Sequence, residues 1–190
     1  MTNTSKSGPD RERLKQVLDR PVTLVGMMGS GKTLIGKKLA QELDLPFIDS
    51  DARIVETAGI SIAEIFEIAG EDKFRAMERD TIGAAVDEGP AILSTGGGAI
   101  CAQETADLLC TRTIVVWLSA APETLLSRIG SVSSRPLLHG DDPLGVLRRL
   151  AAQREKDYRK AHITVKTDGL SAWSTTVTVL SALDTHLAVT

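Results

Sequence analysis

The eight residues Gly26-Met-Met-Gly-Ser-Gly-Lys-Thr33 constrain the fold more than any other stretch of this chain. They match G-x-x-x-x-G-K-[ST] in full. They follow the apolar run VTLVG (22–26) and lead into a helical pattern, TLIGKKLAQELD (33–44). Glycines without a Cβ let successive backbone N–H groups turn inward around phosphate oxygens. The helix behind them adds its N-terminal dipole to the same anion. Lys32 is then placed to reach the β- and γ-phosphates of a nucleoside triphosphate, and the Thr33 hydroxyl to ligate Mg²⁺. A dinucleotide fingerprint is excluded by register, because the third glycine of G-x-G-x-x-G counted from Gly29 falls on Leu34.

Four further apolar runs have strand length: LPFID (45–49), AILST (91–95), TIVVWLS (113–119) and HITVKT (162–167). Helical patterns separate them, at 51–59, 61–89, 103–109, 121–129 and 142–161, with a last helix capped by Ser171. Ser61 and Glu64 form an S-x-x-E capping box, and Pro122 and Pro143 sit in first helical turns. Short buried strands alternating with helices predict a parallel sheet covered on both faces, a three-layer α/β/α domain. A chain of 190 residues suits one such domain. Residues 1–20 read as an N-terminal extension, polar over 1–8 and then a short helix (9–20) carrying Leu14, Val17 and Leu18. Residues 21–190 read as the domain, with a helical insert over about 51–88. The Gly-, Ser- and Arg-Pro-containing segment 130–142 reads as a loop.

Composition narrows the partners. The net charge is −3, which argues against nucleic acid. Three Phe, two Trp and one Tyr leave little for base stacking. Between Arg128 and Lys160, however, eight basic side chains face four acidic ones, a local surplus suited to small anions. Two cysteines make no disulfide framework, and no apolar run approaches bilayer-spanning length. The N-terminus has no apolar core of a secretory signal, so a cytoplasmic protein without a membrane partner is expected.

Ligands on such sheets bind beyond the carboxyl ends of the strands, so each strand end is informative. The second strand runs into Asp49-Ser50-Asp51, two carboxylates expected to share a face of a strand-end extension, with a helix N-cap as the plainer alternative. The third runs into Thr95-Gly96-Gly97-Gly98, bare backbone that a rigid hydroxylated molecule can approach. In the helical insert, Arg75 and Glu78 are i, i+3 neighbours: a surface pair, or a carboxylate orienting a guanidinium toward a substrate carboxylate. Arg135-Pro136 in the 130–142 loop fits a lid that closes over phosphates. Arg154, with Tyr158 and Arg159 after it on the long helix, is a second anion clamp or one cation on a solvated face.

Taken in order, GMMGSGKT, DSD, FRAMERD, LSTGGGAI, SRPLL and QREKDYR resemble the shikimate kinase family, over about residues 21–187. That resemblance implies the nucleoside-monophosphate-kinase-like P-loop fold with strand order 2-3-1-4-5. It implies ATP-dependent phosphorylation of the shikimate 3-hydroxyl on the route to chorismate and the aromatic amino acids. ATP is the co-substrate, Mg²⁺ the cofactor, and a monomer is expected. By the same resemblance Lys32, Asp51 and Arg135 are catalytic, with Asp51 contacting acceptor hydroxyls as the candidate base. Gly29, Ser30, Gly31, Lys32, Thr33, Leu34, Arg128 and Arg135 bind ATP, Arg128 beside the adenine. Asp51, Arg75, Gly96, Gly97, Gly98 and Arg154 bind shikimate, Glu78 orients Arg75, and Thr33 and Asp49 serve the metal. One departure stands out: the loop after the last strand, TDGLSAW, lacks the basic residue that family members often carry there, and apolar packing against the adenine is expected instead. The alternatives are a gluconate kinase-like enzyme, or a non-catalytic ATP-binding module with no need to keep Lys32, Thr33, Asp51 and Arg135 together.

Overall fold

The computed structural model describes residues 8–130, 138, 140 and 142–189. Among these, five strands form one parallel sheet: β1 (Val22–Val25), β2 (Phe47–Asp49), β3 (Ile92–Ser94), β4 (Ile114–Ser119) and β5 (Ile163–Lys166). Their order is β2-β3-β1-β4-β5, as expected, with Leu24 opposite Ser94 on one side and Val116 on the other. The helices are α1 (Arg11–Val17), α2 (Lys32–Leu43), α3 (Ser50–Ala58), α4 (Ile62–Asp87), α5 (Gln103–Arg112), α6 (Pro122–Arg128), α7 (Pro143–Tyr158) and α8 (Ala172–Val189).

The two faces of the sheet follow from period-two alternation along its strands. On β4, Ile114, Val116 and Leu118 point to a core shared with Leu39 of α2 and Leu180 and Leu183 of α8. Val115 and Trp117 point the other way, to a core with Ile82 of α4, Leu109 of α5, Leu125 of α6 and Leu147 of α7. Leu24, Leu39 and Leu180 are fully buried, so truncating any one of them to alanine costs about 2–5 kcal/mol. Helix α1 joins the first core through Leu14 and Leu18. Its Arg13 donates to Asp184 Oδ1 at 2.5 Å and to the Leu187 carbonyl at 3.2 Å, pinning the end of α8.

Helices α3 and α4 carry a small core of their own, Ile54, Ile65 and Phe74. The capping box at Ser61 and Glu64 is present, with Ser61 N–H donating to Glu64 Oε2 at 2.8 Å and Glu64 N–H to Ser61 Oγ at 3.2 Å. Two local details differ from the sequence expectation. The second strand ends at Asp49 and α3 begins at Ser50, so Asp51 lies in a helical turn instead of a strand extension. The reason is the cap: Asp49 Oδ1 accepts from the N–H groups of Asp51 and Ala52, which starts the helix at once. The long helix α4 is also interrupted at Gly70, whose φ of 79° and ψ of 175° no helix accommodates. The break bends the chain so that Phe66, before it, packs against Phe74, after it, with ring centroids 4.7 Å apart and planes tilted by 32°.

Candidate active site

The sheet order lays the site out from one edge to the other. Residues following β2 and β3 meet on one side, the glycine loop after β1 lies in the middle, and residues after β5 close the far side. All of them line one cleft of about 700 Å³.

In the middle, Gly26, Gly29 and Gly31 have φ of 145°, 80° and 92°, values only glycine adopts without strain. A Cβ on Gly26 would also sit 2.6 Å from the Leu118 carbonyl, and one on Gly29 2.6 Å from the Leu125 carbonyl. Lys32 Nζ donates to the carbonyls of Gly26 and Met27, at 2.8 and 3.1 Å, and so braces the loop from inside. Helix α2 starts at Gly31 with no side-chain cap, in contrast to α3, α4 and α7, which are capped by Asp49, Ser61 and Asp142. With no side chain capping it, this helix start opens on the cleft in the way that suits a bound anion. Thr33 Oγ1 donates to Asp49 Oδ2 at 3.3 Å, which brings the hydroxyl and the carboxylate together at the lip of the loop.

On the β2–β3 side three separate elements, α3, α4 and α7, converge on the triple glycine. A Cβ on Gly96 would lie 2.9 Å from Glu78 Oε1 and 3.0 Å from Asp51 Oδ1. A Cβ on Gly98 would lie 2.7 Å from Arg75 Nη2, and one on Gly97 would lie 3.5 Å from Arg154 Nη1. The loop is bare because charged groups occupy the space side chains would need. Glu78 is fully buried and accepts from Arg75 Nη1 at 2.7 Å, while Glu71 takes the outer edge of the same guanidinium. Glu78 Oε1 has no hydrogen-bond partner among the described residues. Burial pushes the Glu78 carboxyl above the usual carboxylate range against the pull of Arg75, and the nearby Asp51 charge adds to the rise. The Arg75–Glu78 pair is thus a buried, oriented fork and not surface decoration. Ile62, Phe66 and Phe74 supply an apolar wall beside it.

On the far side, Arg128 donates to Thr167 Oγ1 at 2.9 Å and to the Thr167 carbonyl at 2.5 Å. Both contacts fix its guanidinium where it lines the cleft. Leu170 and Ala172, apolar residues of the loop in which sequence reasoning found no basic residue, line that end as well, together with Thr175 of α8. Leu34 lines the cleft from α2, half exposed. Arg135, and most of the 130–142 segment expected to form a lid, lie outside the described residues.

The structure therefore brings together Gly29, Ser30, Gly31, Lys32, Thr33, Leu34, Asp49, Asp51, Arg75, Glu78, Gly96, Gly97, Gly98, Arg128 and Arg154 on one cleft. Sequence reasoning assigned no role to Tyr158 or to the Ile62–Phe66 wall. Tyr158 is the one tyrosine of the chain, four residues after Arg154, which is the signal that could have raised it.

A mononucleotide-type loop at the sheet centre, beside a pocket of paired carboxylates and arginines, defines a P-loop phosphotransferase acting on a small anionic acceptor. Known proteins bear this out. The shikimate kinase family model matches residues 28–184. The shikimate kinase of Rhodopseudomonas palustris is 42% identical over 84% of this chain and 79% of its own length. That of Mesorhizobium japonicum is 38% identical over 98% of this chain and 94% of its own. The structure of the Acinetobacter baumannii shikimate kinase in complex with shikimate superposes with a TM-score of 0.82, at 35% identity, covering 90% of this chain and 95% of that one. The chain belongs to the shikimate kinase family. A gluconokinase from Sinorhizobium meliloti, at 16% identity and a TM-score of 0.50, shares the fold alone.

Proposed function

We propose that the chain transfers the γ-phosphoryl group of ATP to the 3-hydroxyl of shikimate, giving shikimate 3-phosphate and ADP. The observation that carries this reading is the convergence of Asp51, the Arg75–Glu78 fork and Arg154 on the Gly96–Gly98 loop, next to the uncapped start of α2. A ring that bears both a carboxylate and hydroxyls matches that set. Arg75 and Arg154 grip the carboxylate, and Glu78 holds the Arg75 fork in plane. Asp51 accepts a hydrogen bond from the reacting hydroxyl and takes its proton as the new P–O bond forms. The glycine backbone lets the ring lie close.

On the donor side the chain positions and neutralises, with little covalent work to do. The N–H groups of Gly29 to Thr33 cradle the phosphates, and Lys32 follows the charge that develops on the γ-phosphoryl oxygens. Arg135 is assigned a phosphate contact on the strength of its sequence context. Thr33 and Asp49 offer two hard oxygen donors, and no group of three or more His, Cys, Asp or Glu side chains able to hold a metal occurs among the described residues. The pair would therefore hold Mg²⁺ jointly with phosphate oxygens, as is usual for this ion. When bound, Mg²⁺ neutralises charge shared by the β- and γ-phosphates. No described helix is long and apolar enough to cross a membrane, and a cytoplasmic, monomeric enzyme is part of this proposal.

The deciding experiment measures ADP release by the purified protein with MgATP and shikimate, beside gluconate and nucleoside monophosphates. Release with shikimate alone is expected. Activity with gluconate and none with shikimate would overturn the reading.

A further inference from the structure

We propose that Tyr158 is a positioning residue for the acceptor: its hydroxyl holds the Gly97 carbonyl and so sets the backbone of the glycine loop on which shikimate is received. This role rests on the reading of function above.

Tyr158 ends α7 with 1% of its surface exposed, and its hydroxyl donates to the Gly97 carbonyl at 2.6 Å. The ring is locked by stacking on Trp117 of β4, with centroids 5.4 Å apart and planes inclined by 18°. The hydroxyl therefore has little freedom to reach another acceptor. The loop itself needs such a tether. The Gly96 and Gly98 carbonyls are taken by the N–H groups of Ala99 and Cys101 within its own turn. The Gly97 carbonyl is held by a side chain from another element, 61 residues away in the chain. Three consecutive glycines give this stretch the widest backbone freedom available. In a trans peptide the Gly98 N–H lies opposite the Gly97 carbonyl, so fixing one fixes the other.

The same residue ties the loop to two more parts of the site. Arg154 is one helical turn before Tyr158, and its Nη1 packs 3.5 Å from the position of a Gly97 Cβ. The Gly26 carbonyl, braced by Lys32, lies 3.3 Å from that same position. Tyr158 therefore fixes the glycine loop between the carboxylate clamp and the phosphate loop. Burial pushes its phenol above the usual range, so it remains a donor throughout the working pH span.

The test is Tyr158→Phe, which keeps the ring and its stacking on Trp117 and removes only the hydroxyl. The expected result is a rise of about tenfold in KM for shikimate, with KM for ATP within about twofold of wild type. Calorimetric titration with shikimate alone should show the same loss of affinity. A variant whose thermal midpoint falls while KM for shikimate holds would overturn the positioning role and leave the hydroxyl a purely structural bond. Wild-type protein that released no ADP with shikimate would overturn this role together with the function it rests on.

Discussion

The donor and acceptor sides of the cleft are built by opposite strategies. The phosphate loop is eight consecutive residues that present backbone; its glycines are required by φ, and Gly26 and Gly29 also by the carbonyls of Leu118 in β4 and Leu125 in α6. The pocket proposed for the acceptor presents side chains drawn from α3, α4 and α7, and Gly96 and Gly98 are bare because those side chains fill the space above them. The first is a local structure that a single segment specifies. The second exists only when the sheet has brought distant segments together. Substitutions on the two sides should therefore fail in different ways.

The largest effect is expected from Lys32→Ala, which should lower kcat by roughly 10²-fold or more if Lys32 follows transition-state charge. An unchanged kcat would dissolve the contrast by making the donor side a binding surface only. Gly26→Ala comes next. With φ at 145° and a Cβ 2.6 Å from the Leu118 carbonyl, it should destabilise the fold by about 3 kcal/mol in urea denaturation.

Arg75→Ala should raise KM for shikimate by roughly 30-fold while KM for ATP holds. It also leaves the buried Glu78 without its cation. Glu78 has a raised folded-state value, so the folded protein binds its proton more readily than the unfolded chain does, and stability falls as pH rises above the usual glutamate range. The variant should accordingly lose more stability at pH 8 than at pH 5, and an equal loss would mean that Glu78 finds another partner. Gly98→Ala sharpens the comparison with Gly26. Its φ of −100° is ordinary and its Cβ would press on the tip of Arg75, so about tenfold in KM for shikimate is expected with a nearly unchanged melting temperature.

The smallest effect lies outside the cleft. The Val115 N–H donates to His162 Nδ1 at 2.9 Å, and burial together with His186 and Arg20 lowers the imidazole below its usual range. The unfolded chain then binds the proton first, so stability present above about pH 6.5 is lost as the pH falls. His162→Asn retains an acceptor that does not titrate, and its melting temperature should fall less than that of wild type between pH 7 and pH 5.5.

How much of this could be read from the residues divides along the same line. The strands, the phosphate loop and the helix starts at Ser61 and Asp142 are written in short segments whose period, glycines and caps act locally, whereas the sheet order comes only with the family resemblance. Asp49 and Asp51 were recognisable as a pair. Their placement across a strand–helix junction was not, because a cap and a strand extension begin with the same residues. The break at Gly70 was hidden inside a run with helical period, where one glycine lowers helix propensity without announcing a bend. The Tyr158–Gly97 bond spans 61 residues, and nothing short-range in either segment encodes it.

The two tryptophans lie behind opposite ends of the cleft lining. Trp117 lies under Tyr158 on the acceptor side. Trp173 is half exposed, next in the chain to the cleft-lining Ala172 and capped by the Arg11 guanidinium at 5.9 Å. With only these two indoles in the chain, replacing either by phenylalanine leaves an emission signal assigned to a single end. Filling of the proposed acceptor pocket and of the nucleotide end can then be sought separately, one in each single-tryptophan variant, without an added label.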